Sequence, residues 1–248
     1  MENINQLAGN QELIQICKNF ILPKTYPVVI KEPYLPFVPY NWNGILVLAE
    51  AQNLSQYVNR YDNYIQELNS WSEEDKILRL GKRGPNLDIQ PWDDFSIRIA
   101  LLAMIPNINI EEVAVSNAVP WSLTKELVAN DNPSKEMISK AIAFWKEIFD
   151  KWNPKLKKII ALGRVAERVM AGAGKGDLVF KLLLPAPRNL NNMMTMFDSD
   201  DLLQRYPEVK SAMGKLSLDK NAPYLKRKIL FACHAVSRGK KVFDNFFR

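Results

Sequence analysis

The chain has 248 residues, 47% of them hydrophobic, enough to bury a substantial core and better suited to one large α/β domain than to two small ones. No apolar run approaches the roughly 18 residues of a membrane helix, the opening MENINQLAGNQ has no basic stretch or apolar signal segment, and Cys17, Cys233 and one histidine are too few for an ordinary zinc or iron–sulfur site. A soluble, cytoplasmic monomer without metal or cofactor is therefore expected, with a formal charge of +6 that lies entirely in residues 221–248, where seven basic residues face one acid, Asp244.

In chain order, the pattern predicts a helix over residues 11–20. Pro23, Pro27, Pro33, Pro36 and Pro39 then alternate with Tyr26, Tyr34, Phe37 and Tyr40. Proline at this density excludes a regular helix or a central strand. Residues 1–43 thus read as a helix and an extended arm wrapped over the domain, or as a ligand for a peptide-binding module; residues 44–248 read as the domain itself. Four short apolar runs follow, at 44–49 (GILVLA), 113–116 (VAVS), 158–161 (KIIA) and 180–184 (FKLLL). Each is of the kind that forms a buried parallel strand. Helix-patterned sequence separates them, over residues 56–68, 94–104 and 134–152, with Pro133-Ser134 and Asn153-Pro154 as punctuation. Strands alternating with helices predict a three-layer α/β/α fold around a central, mainly parallel four-stranded sheet. The glycine-rich stretch 170–177 (MAGAGKGD) lacks phosphate-loop spacing and reads as a helix stop and turn. In the C-terminal segment Lys226, Arg227, Lys228, Arg238, Lys240, Lys241 and Arg248 interleave with Tyr224, Phe231, Phe243, Phe246 and Phe247. Such a segment is either a phosphate-contacting surface or an amphipathic helix with a solvated basic face and an aromatic core face.

Ligands of parallel sheets sit beyond the carboxyl ends of the strands, which directs attention to residues 50–53, 117–121, 163–164 and 185–192. After the first run stands Ala49-Glu50-Ala51-Gln52-Asn53; VAVSNAVPW carries Asn117; KKIIALGRVAERV spans the third run and the next helix; and Leu184-Pro185-Ala186-Pro187-Arg188-Asn189 follows the fourth. Taken in order, these segments resemble the landmark motifs of the uracil-DNA glycosylase superfamily: a Gly-Glu-Ala-Pro-Gly type motif, a strand ending in the asparagine that reads the flipped base, a strand and helix of the "LGrvA" type, and a His-Pro-Ser-Pro-Arg-Asn loop. The resemblance spans about residues 44–192 and leaves the arm and the basic segment uncovered.

What the resemblance implies is a base-flipping DNA glycosylase, with DNA as partner. Glycosidic cleavage builds positive charge on the sugar and negative charge on the leaving base, so carboxylates near the one and hydrogen-bond donors near the other lower the barrier. Glu50 is the first candidate carboxylate, against a helix-capping alternative. Asp93 competes with it, although Asp93 and Asp94 precede a predicted helix and also suit its N-terminus. Asn117 presents both acceptor and donors to a pyrimidine edge, or is a turn residue. Ala51, Gln52, Asn53 and Leu184 would line the base pocket. Trp92 and Trp121 are stacking candidates, each also a natural core residue. Pro187, Arg188 and Asn189 suit a stiffened DNA-contacting loop, or a solvent-exposed turn. Arg164 would add a phosphate contact, and so, outside the matching segment, would Lys226 and Arg227.

The motifs depart from the family in a consistent direction. Leu184 stands where the family's histidine donates to leaving uracil, Gln52 replaces a proline, and Ala186 replaces a serine. The single histidine, His234, lies outside the matching segment, where a buried structural role competes with any contact to the site. Two expectations follow. One is a glycosylase for a modified pyrimidine, such as phage hydroxymethyl- or glucosyl-hydroxymethylcytosine, in the manner of antiviral defence. The other is a catalytically inactive DNA-binding module on the same fold. A third class, an enzyme acting on a small phosphorylated molecule, lacks a phosphate loop or dinucleotide fingerprint to support it.

Overall fold

The structure of the chain, a computed structural model, describes residues 5–26, 28–53, 66–67, 70–79, 95–123, 133–152, 155–183, 190, 196–218, 224–244 and 246–247. The elements in order are α1 (Gln11–Asn19), β1 (Val28–Ile30), β2 (Ile45–Asn53), α2 (Glu73–Arg79), α3 (Ser96–Met104), β3 (Ala114–Leu123), α4 (Lys135–Trp152), β4 (Lys158–Leu162), α5 (Arg164–Gly172), β5 (Val179–Leu182), α6 (Ser199–Arg205), α7 (Pro207–Lys215) and α8 (Leu225–Phe243). They divide between two compact units, Met1–Gln90 with Glu112–Lys181, and Pro91–Glu111 with Leu182–Arg248. The N-terminal helix and arm belong to the first unit together with β2.

The first unit is built on a sheet of order β1-β3-β2-β4-β5. β2 pairs in parallel with both β3 and β4. All four strands predicted from apolar runs are present, and the α/β class with a mainly parallel sheet and helices around it is the one the alternating pattern predicts. The reason lies in β2 and β4. Leu46, Leu48, Ile159 and Ala161 are buried in one core cluster with α1, α4 and α5, while Ile45, Val47, Ile160 and Leu162, alternate along the same strands, are buried too. A strand apolar at every position is stable only where both of its faces are covered.

The fifth strand, β1, is an addition to the four expected. It pairs antiparallel with β3 at the sheet edge. Beyond it the proline-rich arm continues along β3: the Tyr34 amide donates to Pro120 O at 3.3 Å, and Phe37 and Val115 exchange two bonds of 2.9 and 3.0 Å. An edge position tolerates Pro33 and Pro36, whose missing N–H groups would break a central ladder, and the arm removes the exposed edge of β3. Buried Asn5 anchors it, donating to Pro36 O at 3.0 Å and accepting from the Val38 amide at 3.1 Å.

Local sequence accounts for the helices. Asn10 caps α1 by accepting from the amides of Glu12 and Leu13 at 3.1 and 3.2 Å, and Ser134 caps α4 by accepting from Met137 N at 3.2 Å. α4 turns Met137, Ala141, Phe144, Trp145 and Ile148 into the core at helical intervals. After α5, Gly174 adopts φ +78° and a short 3-10 turn leads into β5, so the glycine-rich stretch is a helix stop. The helix expected over residues 56–68 lies almost wholly outside the described residues.

The second unit is helical. α3 packs against α7 and α8, and α8 also packs against α6 and α7. α8 buries Ile229, Leu230, Phe231, Val236 and Phe243 and leaves Arg238, Lys240 and Lys241 exposed. α8 is thus an amphipathic helix whose exposed cations lie in its last two turns, and both arrangements named for the C-terminal segment are compatible with it.

Candidate active site

Strand order reverses between β2 and β4: the chain leaves β2 for β3 on one side, and β4 is followed by β5 on the other. At such a switch point the connections diverge and leave a crevice beyond the carboxyl ends, the usual ligand position of an open parallel sheet. Glu50 and Ala51, both half-buried, lie in the carboxyl-terminal half of β2. Gly163 and Arg164 follow β4 directly.

These residues interlock. The Val165 amide, in the first turn of α5, donates to Glu50 Oε1 at 3.2 Å. A carboxylate there satisfies one of the orphan amides of the helix start and meets the positive end of its dipole. Gly163 makes the approach possible. Its φ of +94° and ψ of 178° lie in a region open essentially to glycine alone, and a Cβ at this position would stand 2.8 Å from the Glu50 carboxyl carbon. The helix-capping alternative for Glu50 is therefore a real contact of the molecule. Arg164 is exposed at the first position of α5, facing solvent beside the same helix start.

Asn117 occupies a different setting. β3 does not end at this residue but runs on to Leu123, so Asn117 is an interior strand residue, 1% exposed. It pairs in register with Ala49. Because side chains alternate along a strand, Asn117 shares the sheet face of Ala49 and Val47, whereas Glu50 points to the opposite face. The two residues expected to act on one base are thus on opposite sides of the sheet. Asn117 Nδ2 donates to the hydroxyl of Tyr34, which is fully buried and whose pKa is pushed up by that burial. The strand continues past Asn117 because its backbone goes on pairing, with β2 as far as Leu123 on one side and with the arm and β1 on the other.

Trp121 lies in the core against Phe144, with ring centroids 5.9 Å apart, and its indole N–H is buried without a partner among the described residues. It is positioned as a core residue and not as a stacking platform. A bulge between the Ala51–Val119 and Gln52–Ser122 pairs accounts for this orientation, shifting the register of β3 just where Trp121 sits. Gln52 and Asn53 form the end of β2 through backbone pairing with Ser122 and Leu123. Trp92, Asp93, Leu184, Pro187, Arg188 and Asn189 lie outside the described residues.

In the second unit Lys226 and Arg227 occupy the first turn of α8, and the Arg227 guanidinium stacks 4.7 Å from the ring centroid of exposed Tyr224. His234 is half-buried on the same helix. Burial and the charge of Arg238 hold its pKa below the ordinary value. Among the described residues no group of three or more His, Cys, Asp and Glu side chains could hold a metal ion, and no helix is long and apolar enough to cross a membrane.

Sequence reasoning singled out residues 163–164 as a strand end but missed the close approach of Gly163 to Glu50, and it missed Tyr34 as a determinant of this region. The Leu162-Gly163-Arg164 motif was a readable signal for the glycine; nothing in the sequence signals that Tyr34 meets Asn117 from 83 residues away. Comparison of the chain with protein-family models, with curated proteins and with solved structures finds no match.

Proposed function

We propose that this chain is a DNA glycosylase that flips a base out of DNA and hydrolyses its N-glycosidic bond, with a modified pyrimidine such as hydroxymethyl- or glucosyl-hydroxymethylcytosine as substrate. The observation that carries the proposal is the half-buried Glu50 carboxylate at the carboxyl end of β2, beside the switch point, held by the start of α5. It is supported by the ordered resemblance of strand-end segments to the uracil-DNA glycosylase superfamily. In this reaction the bond between base and sugar breaks, the electron pair leaves with the base, and water supplies the new oxygen on the sugar and a proton for the base. Glu50, oriented by the Val165 amide, would hold that water and offset the positive charge that develops on the sugar. Leu184 cannot donate a hydrogen bond, which removes the family's means of assisting uracil in particular.

A specific observation favours a second reading, a DNA-binding module without catalysis: Asn117 is enclosed with Tyr34 on the sheet face opposite Glu50. One experiment separates the two. The chain is incubated with uracil-containing, unmodified and phage-modified DNA, and released bases are identified by mass spectrometry alongside a count of abasic sites. The glycosylase releases a modified base, and Glu50→Gln slows release on the order of 100-fold or more with unchanged DNA affinity. Glutamine preserves the acceptor for Val165 N, so the helix cap survives and the loss reports the carboxylate. Intact glycosidic bonds in every DNA would sink the enzyme reading and leave the binding module. Absence of affinity for any DNA would sink both.

A further inference from the structure

Two exposed aromatic rings stand at the starts of packed helices in the second unit: Phe95, directly before α3 and 36% exposed, and Tyr224, directly before α8 and 68% exposed. An aromatic residue thus occupies each position where Ser, Thr, Asp or Asn ordinarily caps a helix. Cations lie over both rings. The Arg227 guanidinium is 4.7 Å from the Tyr224 centroid, and Arg98 and Lys228 are 5.5 and 5.9 Å from the Phe95 centroid. Tyr224 and Lys228, four residues apart, are neighbours along one side of the start of α8. Arg227, Tyr224, Lys228, Phe95 and Arg98 therefore form one alternation of cations and rings contributed by two helices.

A cation over a ring is ordinarily a surface pair that fixes the end of a loop. Tyr224 departs from that pattern. Its backbone is left-handed, with φ +58° and ψ 24°, a region that a bulky side chain rarely enters. Its carbonyl nevertheless accepts the first bonds of α8, from the amides of Arg227 and Lys228 at 3.0 and 3.2 Å. A strained tyrosine with most of its ring in solvent gains little from packing, and asparagine would hold the same turn with less strain. Residues of this kind collect where a side chain serves a ligand. A flat ring flanked by cations suits a ligand that is both planar and anionic. Single-stranded nucleic acid meets both demands, because each unpaired base offers a face to stack and a phosphate follows at every step. In a duplex the bases are already stacked on one another.

We propose that Tyr224 and Phe95, with Arg98, Arg227 and Lys228 beside them, form a stacking platform for the unpaired bases of single-stranded DNA. The inference rests on the DNA partner proposed above and adds the surface of the second unit that receives it. Stacking of this kind tolerates any base sequence, since every base has a face.

The test is fluorescence anisotropy of the full chain with a labelled single-stranded oligonucleotide and with the duplex of the same sequence, each titrated over a range of salt concentrations. Tyr224→Asn removes the ring and suits the left-handed turn, so it should keep the stability of the parent while weakening single-strand binding on the order of tenfold. The slope of log affinity against log salt should not change, and Tyr224→Phe should bind as the parent does. Arg227→Ala should instead reduce that slope by about 0.7. Circular dichroism checks that α8 is intact. Phe95→Leu, which keeps an apolar residue and removes the other ring, should weaken single-strand binding in the same sense and carries the test if Tyr224→Asn does not fold. Ring variants of unchanged single-strand affinity, or an equal loss on the duplex, overturn the platform and leave the DNA partner standing. A parent that binds neither form of DNA overturns both.

Discussion

Glu50 and Gly163 show how tightly one side chain depends on another's backbone. Gly163 holds a conformation that costs a residue with a Cβ about 1–3 kcal/mol, and the added carbon would also collide with the Glu50 carboxyl group. Gly163→Ala should therefore lower the stability measured by urea unfolding by at least that range. Glu50→Ala in the same background should recover the collision and not the backbone cost, a non-additivity that a double-mutant cycle reads directly. Tyr34→Phe leaves buried Asn117 without its hydroxyl partner and should cost about 1–3 kcal/mol without touching Glu50; an unchanged unfolding midpoint would show the bond to be dispensable. Glu50 stood out in the sequence because it follows an apolar run. Its contact with a helix 115 residues further on did not, since spacing along the chain says nothing about which strand will lie beside β2.

Among the elements, β2, β3, β4 and β5 were legible as short apolar runs, and β4, buried at four of its five positions, shows the reason most clearly: a strand covered on both faces must be apolar. β1 was not legible. Three residues inside a proline-rich arm carry no period, and their strand character comes from the free edge of β3. α4 announced itself by its length and its cap, whereas α2, α6 and α7, each of nine residues or fewer, are set by the surfaces they cover. α8 offers a direct contrast between its two sides. Phe231→Ala, a cavity in the core of the second unit, should cost about 3–5 kcal/mol in chemical denaturation, while Arg238→Ala, at an exposed position, should stay within about 0.5 kcal/mol. Equal costs would mean that α8 is not anchored by its apolar face.

For the molecule as a whole, buried titratable groups set the pH range of stability. His234 has a folded-state pKa lowered by burial and then by Arg238. The unfolded chain takes up a proton near 6.5 that the folded chain refuses, so the associated stability is complete above that value and is lost as the pH falls through the lowered one. The thiol of Cys233 behaves oppositely. Burial, and then the charge of Glu208, push it up from 9.0 to about 12, so its share of stability is complete below 9.0 and is lost as the pH rises toward 12. Cys17 is raised by burial in the same sense. The urea midpoint should form a plateau between roughly these limits and fall on both sides. His234→Gln should flatten the acid limb, and an acid limb identical to that of the parent would remove His234 from the account.

The order of apolar runs was enough for the α/β class, because the hydrophobic demand of a buried strand is local and periodic. The gathering of charge at the C-terminus was equally plain, because charge is a property of residues and not of their arrangement. The partner of each polar group was decided otherwise. Glu50 against the start of α5, Asn117 beneath Tyr34, and the arm along β3 all join residues 78 or more positions apart. Such pairs exist only once the sheet has set its strand order and register, and a register fixes at a stroke which face every side chain takes. For that reason Glu50 and Asn117, neighbours as motifs, stand on opposite faces of one sheet.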